Sequence, residues 1–92
     1  MKLQDALLNW LQIYIVAEAR PDDGAAVQTK QFFEQILQED HHLTEFHVAL
    51  KDEEYIQVDY VRDGELFSQQ FDRAFSEQLL IDINSNPKYS DE

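Results

Sequence analysis

Tyr55-Ile56-Gln57-Val58-Asp59-Tyr60-Val61-Arg62-Asp63-Gly64-Glu65-Leu66-Phe67-Ser68-Gln69-Gln70-Phe71 is the stretch on which the fold turns. Ile56, Val58 and Tyr60 alternate with Tyr55, Gln57 and Asp59, the period-two pattern of a half-buried strand. Asp63-Gly64 follows, a dipeptide suited to a type I′ turn because both central positions need positive φ. A third strand, Glu65 to Phe71, completes the hairpin. A two-residue turn sets Tyr60 opposite Phe67, Val58 opposite Gln69 and Ile56 opposite Phe71, so most of the large apolar groups share one face.

Toward the N-terminus, Phe46, Val48 and Leu50 alternate with Glu45, His47 and Ala49, which predicts a first strand. A two-residue turn at Asp52-Glu53 would set Val48 opposite Gln57 and put this strand out of phase. The spacing therefore predicts a three- or five-residue loop, or a bulge, between the first two strands.

Before the strands lie two helical patterns. Leu3, Leu7, Trp10, Leu11, Tyr14 and Ala17 recur at steps of three and four from Leu3 to Ala19. Leu8, Ile13, Ile15 and Val16 widen the apolar arc beyond one facing layer, so this helix should be packed on two sides or share its surface with a second copy. Arg20-Pro21-Asp22-Asp23-Gly24 breaks it, and the aspartates are placed to cap the next helix. That second helix should bury Ala25, Thr29, Phe32, Phe33, Ile36 and Leu37, forming an antiparallel hairpin with the first. After the strands, Asp72 is placed to cap a last helix with a buried row of Phe75, Leu79 and Ile83, flanked by Leu80. Pro87 should end it, leaving a frayed polar tail over about 85–92.

The order α-α-β-β-β-α predicts a single α+β domain over 1–92, a three-stranded antiparallel meander with helices on one face. Phe46, Val48, Ile56, Val58, Tyr60, Phe67 and Phe71 should pack against Trp10, Tyr14, Phe32, Phe33 and Phe75. Glu45, His47, Tyr55, Gln57, Asp59, Val61, Leu66, Ser68 and Gln70 should form the open face.

Hydrophobic residues make up 43% and aromatics 12% of the 92 residues, sufficient for one packed core. Nineteen acids against seven bases give a net charge of -12, which disfavours DNA, RNA and anionic membranes. Such a surface suits basic proteins or cations as partners, or serves only to keep a small domain in solution. The chain has no cysteine, hence no disulfide, thiolate site or cysteine nucleophile. A cytoplasmic location is expected. No segment reads as a signal peptide or a membrane span.

His41, His42 and His47 are the residues that could ligate a transition metal, but their spacing matches no zinc pattern, and adjacent imidazoles rarely converge on one ion. The acidic clusters Asp22-Asp23, Glu39-Asp40 and Asp52-Glu53-Glu54 lack the alternating oxygen ligands and glycine of a calcium loop. Gly24 and Gly64 are the only glycines, and neither stands in a phosphate loop or a nucleophile elbow. No catalytic, cofactor or metal residue is therefore assigned. What remains is surface: Tyr55, Val61 and Leu66 could form an apolar strip on the open sheet face, although Val61 and Leu66 could equally lock the hairpin beside its turn. Two sheet edges could accept another strand.

Leu7-Leu8-Asn9-Trp10-Leu11-Gln12, Arg20-Pro21-Asp22-Asp23 and Pro87-Lys88-Tyr89 together resemble small uncharacterised acidic proteins of Bacillus-type bacteria. The resemblance covers most of the chain. It implies a bacterial cytoplasm and brings no activity, cofactor or site residue with it.

These readings lead to a non-catalytic protein-interaction or regulatory module, with a homodimer through the Leu3 to Ala19 helix as one arrangement. The alternative is a nucleic-acid mimic occupying the basic groove of another protein, which would need carboxylates aligned at phosphate-like spacing. A small enzyme or metal-binding protein comes after both.

Overall fold

The computed structural model describes residues 1–85. Two helices, α1 (Leu3–Ala19) and α2 (Gly24–Glu39), precede three strands, β1 (Leu43–Lys51), β2 (Tyr55–Arg62) and β3 (Glu65–Asp72), and a third helix, α3 (Arg73–Ser85), follows. The strands form one antiparallel sheet in the order β1-β2-β3. This is the α+β meander that periodicity predicts. The expected end of α3 at Pro87 and the polar tail lie outside the described residues.

Asp63 and Gly64 have φ of 54° and 80°, the left-handed values of a type I′ turn. The register follows from it: Tyr60 opposes Phe67, Val58 opposes Gln69 and Ile56 opposes Phe71. Between β1 and β2 both expected devices occur. Asp52, Glu53 and Glu54 form the loop, and the register shifts between Val48 and Leu50, so that Val48 opposes Val58 while Leu50 opposes Gln57. An extra residue in one strand turns every later side chain to the other face. Phe46 and Val48 thus point to the core side, and Leu50 joins the open face.

Helix α1 is buried almost all round: Ala6, Leu7, Trp10, Leu11, Ile13, Ile15, Val16 and Ala17 are all in the interior. Both α2 and α3 pack against it. Leu7, Leu11 and Ile15 join Leu37, Leu43, Ile56 and Val58 in one cluster, with Phe46, Val48, Tyr60 and Phe71 against it. Ile13, Val16 and Ala17 join Ala26, with Val27, Leu79 and Ile83 against them. Because the first half of α1 meets the end of α2 and its second half meets the start of α2, the two helices are antiparallel. The run Ile13 to Val16, rich in strand-forming residues, stays helical because burial outweighs its weak intrinsic preference; each fully buried aliphatic side chain contributes about 1.5–3 kcal/mol, against a few tenths for propensity. The apolar arc is covered from within the chain, so α1 needs no second copy to hide it.

Caps and loops hold the helices in place. Asp23 accepts from the Ala26 amide at 3.1 Å through its side chain and so caps α2. Asp72 caps α3, accepting from the Phe75 amide at 2.9 Å. Arg20 reaches from the α1–α2 loop to Asp23 at 3.4 Å and to Asn84 Oδ1 at 3.1 Å. Arg73 donates to the carbonyl of Asp52 at 2.9 Å, joining α3 to the β1–β2 loop.

Three aromatic rings expected in the core stand outside it. Phe32 and Phe75 are 58% and 57% exposed, and Phe67 is 38% exposed on its edge strand. The inward line of α2 is Ala26, Phe33, Ile36 and Leu37, which leaves Ala25, Thr29 and Phe32 facing solvent. On α3 the fully buried residue is Ser76, whose hydroxyl donates to the Asp72 carbonyl at 2.8 Å. A small, hydrogen-bonded side chain lets the helix approach closely, and Leu79, Leu80 and Ile83 complete that face while Phe75 falls beside it.

Candidate interaction surface

All the sheet residues of the main core lie on one face, and the helices cover that face. The other face is a set of cross-strand rows. Glu45, Val61 and Leu66 form the row beside the turn; His47, Asp59 and Ser68 form the next; Leu50, Gln57 and Gln70 follow; Tyr55 opposes Asp72 at the far end. Leu66 is 68% and Leu50 47% exposed, while Val61 is half-buried between its neighbours.

Val61 and Leu66 are thus brought together as direct cross-strand partners, and Tyr55 is not. Tyr55 and Val61 share a face of β2 but are separated along it by about 20 Å at the usual rise per residue. Gln57 and Asp59 stand between them. Leu50 is an apolar member of this face that the alternation along β1 does not reveal, because the bulge that reverses it depends on pairing with β2.

At the centre is Asp59. One of its carboxylate oxygens accepts from Ser68 Oγ at 2.7 Å and from Gln57 Nε2 at 3.0 Å. These hydrogen bonds, Ser68 first and then Gln57, hold the Asp59 carboxyl below its ordinary pKa, and the His47 charge acts in the same direction. The ionised form is therefore fixed in position on an open surface. The turn register alone sets Asp59 opposite Ser68, so the pair was readable from the sequence even though neither residue stands out in composition.

The remaining candidates are dispersed. His47 is exposed on β1 opposite Asp59; His42 is exposed at φ 59°; His41 is half-buried with Nε2 in the interior and without a hydrogen-bond partner. Among the described residues no group of three or more His, Asp or Glu side chains is placed to hold a metal ion. Asp23 serves as a cap, and Asp52 accepts from the Glu53 amide in the β1–β2 loop.

Concavities among the described residues lie elsewhere. An open cleft of about 730 Å³ between the α1–α2 loop and α3 is lined by Ile13, Val16, Leu79 and Ile83 with Arg20, Asp22 and Asp23 at its rim. Arg20 is engaged with Asp23 and Asn84, so its guanidinium is held within the rim. A shallower hollow of about 260 Å³ is lined by Trp10, Tyr14, Phe46, Glu18, Lys30 and His47. There Trp10 packs on Tyr14 and Phe46 at ring-centroid distances of 5.1 and 5.3 Å. Glu34 accepts from both Trp10 Nε1 and Lys30, each at 3.1 Å. Burial, and after it the Glu18 charge, raises the Tyr14 hydroxyl pKa, so the phenol stays protonated. Aromatic rings in such close contact leave no slot between them.

No helix among the described residues is long and apolar enough to cross a membrane. No family model, curated protein or solved structure matches the chain.

Proposed function

We propose that this chain is a non-catalytic protein-interaction module acting in the cytoplasm, and that it receives a basic protein partner on the open face of its sheet. The observation that carries this reading is the row structure of that face: exposed Leu66 and half-buried Val61 beside Glu45, one row from the ordered Asp59 carboxylate. An apolar contact next to fixed negative charge suits a partner that brings both an apolar side chain and a lysine or arginine. The net charge of -12 favours the approach of such a partner over a long range at low salt.

Mimicry of a nucleic acid requires carboxylates in a row. Here Glu45 and Asp59 lie in different rows, Asp59 between His47 and Ser68, and Asp72 is occupied as a cap. The protein-interaction reading is preferred for that reason.

Affinity capture from native extract with the unmodified chain and with a Leu66→Ser, Asp59→Asn double variant tests the proposal. The expected result is a protein captured at low salt, released as salt rises, and lost from the double variant while its circular dichroism is unchanged. Capture of the same protein by both chains, or of none by either, overturns it.

A further inference from the structure

The two edges of the sheet are unlike. The β1 edge is irregular, with register shifts at Leu43/Glu45 and Val48/Leu50, and carries Glu45, His47 and Lys51 along its length. Bulges and charges of this kind prevent further strands from pairing. The β3 edge has neither. It pairs with β2 without a shift from Glu65 to Asp72, and Leu66-Phe67-Ser68-Gln69-Gln70-Phe71 contains no charge, proline or glycine.

Which backbone groups of β3 lack a partner among the described residues follows from the turn. In a type I′ turn the Glu65 amide bonds to the Arg62 carbonyl, and hydrogen-bonding direction alternates along an antiparallel strand. Glu65, Phe67, Gln69 and Phe71 therefore direct their amides and carbonyls at β2. The same phase continues past the strand, where the Arg73 amide donates to the Glu54 carbonyl at 3.0 Å. Leu66, Ser68 and Gln70 direct theirs away from the sheet. The Asp72 carbonyl, next in that series, already accepts from Ser76.

We propose that the free edge of β3 pairs antiparallel with β3 of a second copy of this chain, centred on Ser68 opposite Ser68, to give one continuous sheet. Antiparallel pairing matches edge-directed residues only with edge-directed residues. Leu66 then opposes Gln70 of the second copy, and the amides and carbonyls of Leu66, Ser68 and Gln70, unpartnered among the described residues, each find a partner. Edge-directed residues of β3 all lie on the open face, so the match places the helices of both copies on the same side. On that side Phe67, which stacks on Tyr60 at 5.4 Å and is 38% exposed, comes diagonal to Phe71 of the second copy and loses solvent. The net charge of -12 opposes close approach of two copies, and the repulsion is least along this uncharged segment, which also offers a basic strand no carboxylate between Glu65 and Asp72. The pairing leaves both outer faces open, so it stands apart from the partner proposed above.

Sedimentation equilibrium of the full chain at low and high sodium chloride reads the pairing directly. The expected mass rises from monomer toward dimer with protein concentration, and more so at high salt, because screening weakens repulsion between two acidic copies. Gln70→Pro removes an edge-directed amide and leaves the β2 ladder intact; it should abolish the dimer, and Gln70→Ala should retain it. The chain lacks cysteine, so single cysteines placed at Leu66, Ser68, Gln69 and Gln70 map the register under mild oxidation. Ser68→Cys should cross-link fastest, since only there do like residues face each other at about 5.5 Å, inside the range a disulfide spans. A monomer at every salt and concentration, a Gln70→Pro dimer as tight as the parent, or a cross-linking maximum elsewhere on the strand overturns the proposal. A monomer whose β3 amides become protected only on adding a basic protein assigns the edge to a foreign strand and overturns it too. A monomer, a Gln70→Pro dimer or a displaced cross-linking maximum leaves capture by the open face standing, and loss of capture in the Leu66→Ser, Asp59→Asn variant leaves the edge pairing standing, so the two proposals fail separately.

Discussion

At the scale of single residues, the open face is organised by an aspartate whose neighbours stabilise its charge. The Asp59 carboxyl is held below its ordinary pKa by hydrogen bonds from Ser68 and Gln57. A depressed carboxylate pKa adds stability that is present above the unfolded-state value and lost as pH falls through the folded one. Carbon-detected NMR titration should show the Asp59 midpoint below that of exposed aspartates. Ser68→Ala should raise it most, Gln57→Ala less and His47→Ala least, following the order of the causes. An unchanged midpoint in Ser68→Ala would remove the hydrogen bond as the explanation. Of the surface residues singled out by alternation alone, Val61 and Leu66 meet and Tyr55 does not, because period two identifies a face but not how far apart its members lie.

Elements depend on a few positions that set direction. Gly64 stands at φ 80° with open space where a Cβ would be, so an added methyl meets no atom but must hold a left-handed backbone. Gly64→Ala should therefore cost about 1 kcal/mol, seen as a lower urea midpoint at unchanged slope. A larger loss with a changed slope would mean that the hairpin register itself had moved. The bulge before Leu50 acts the other way, since it sets no turn but decides which face the end of β1 presents. Out-of-phase strands announced that some irregularity was needed between Val48 and Tyr55. Its position within β1 depends on which residues of β2 it meets, and one strand read alone cannot supply that.

For the whole molecule, the decisive arrangement is α1 enclosed by α2, α3 and the sheet. Leu11 is fully buried there, and Leu11→Ala should cost about 2–5 kcal/mol in denaturant unfolding. Phe75→Ala removes a larger side chain yet should change stability by no more than about 0.5 kcal/mol, because that ring is mostly in solvent. Comparable losses in the two variants would place α3 in a different rotation from the one described. By itself the sequence determined the order of elements, the Asp63-Gly64 turn, the register between β2 and β3 and the aspartate caps, because each rests on near neighbours: backbone φ, alternation and the first turn of a helix. Tertiary structure alone decided that Ser76 rather than Phe75 faces inward, that Phe32 is left outside, and that α1 is covered by its own chain. A helix can turn its apolar arc through several rotations at similar local cost, and the one adopted is set by the shapes of the surfaces it packs against.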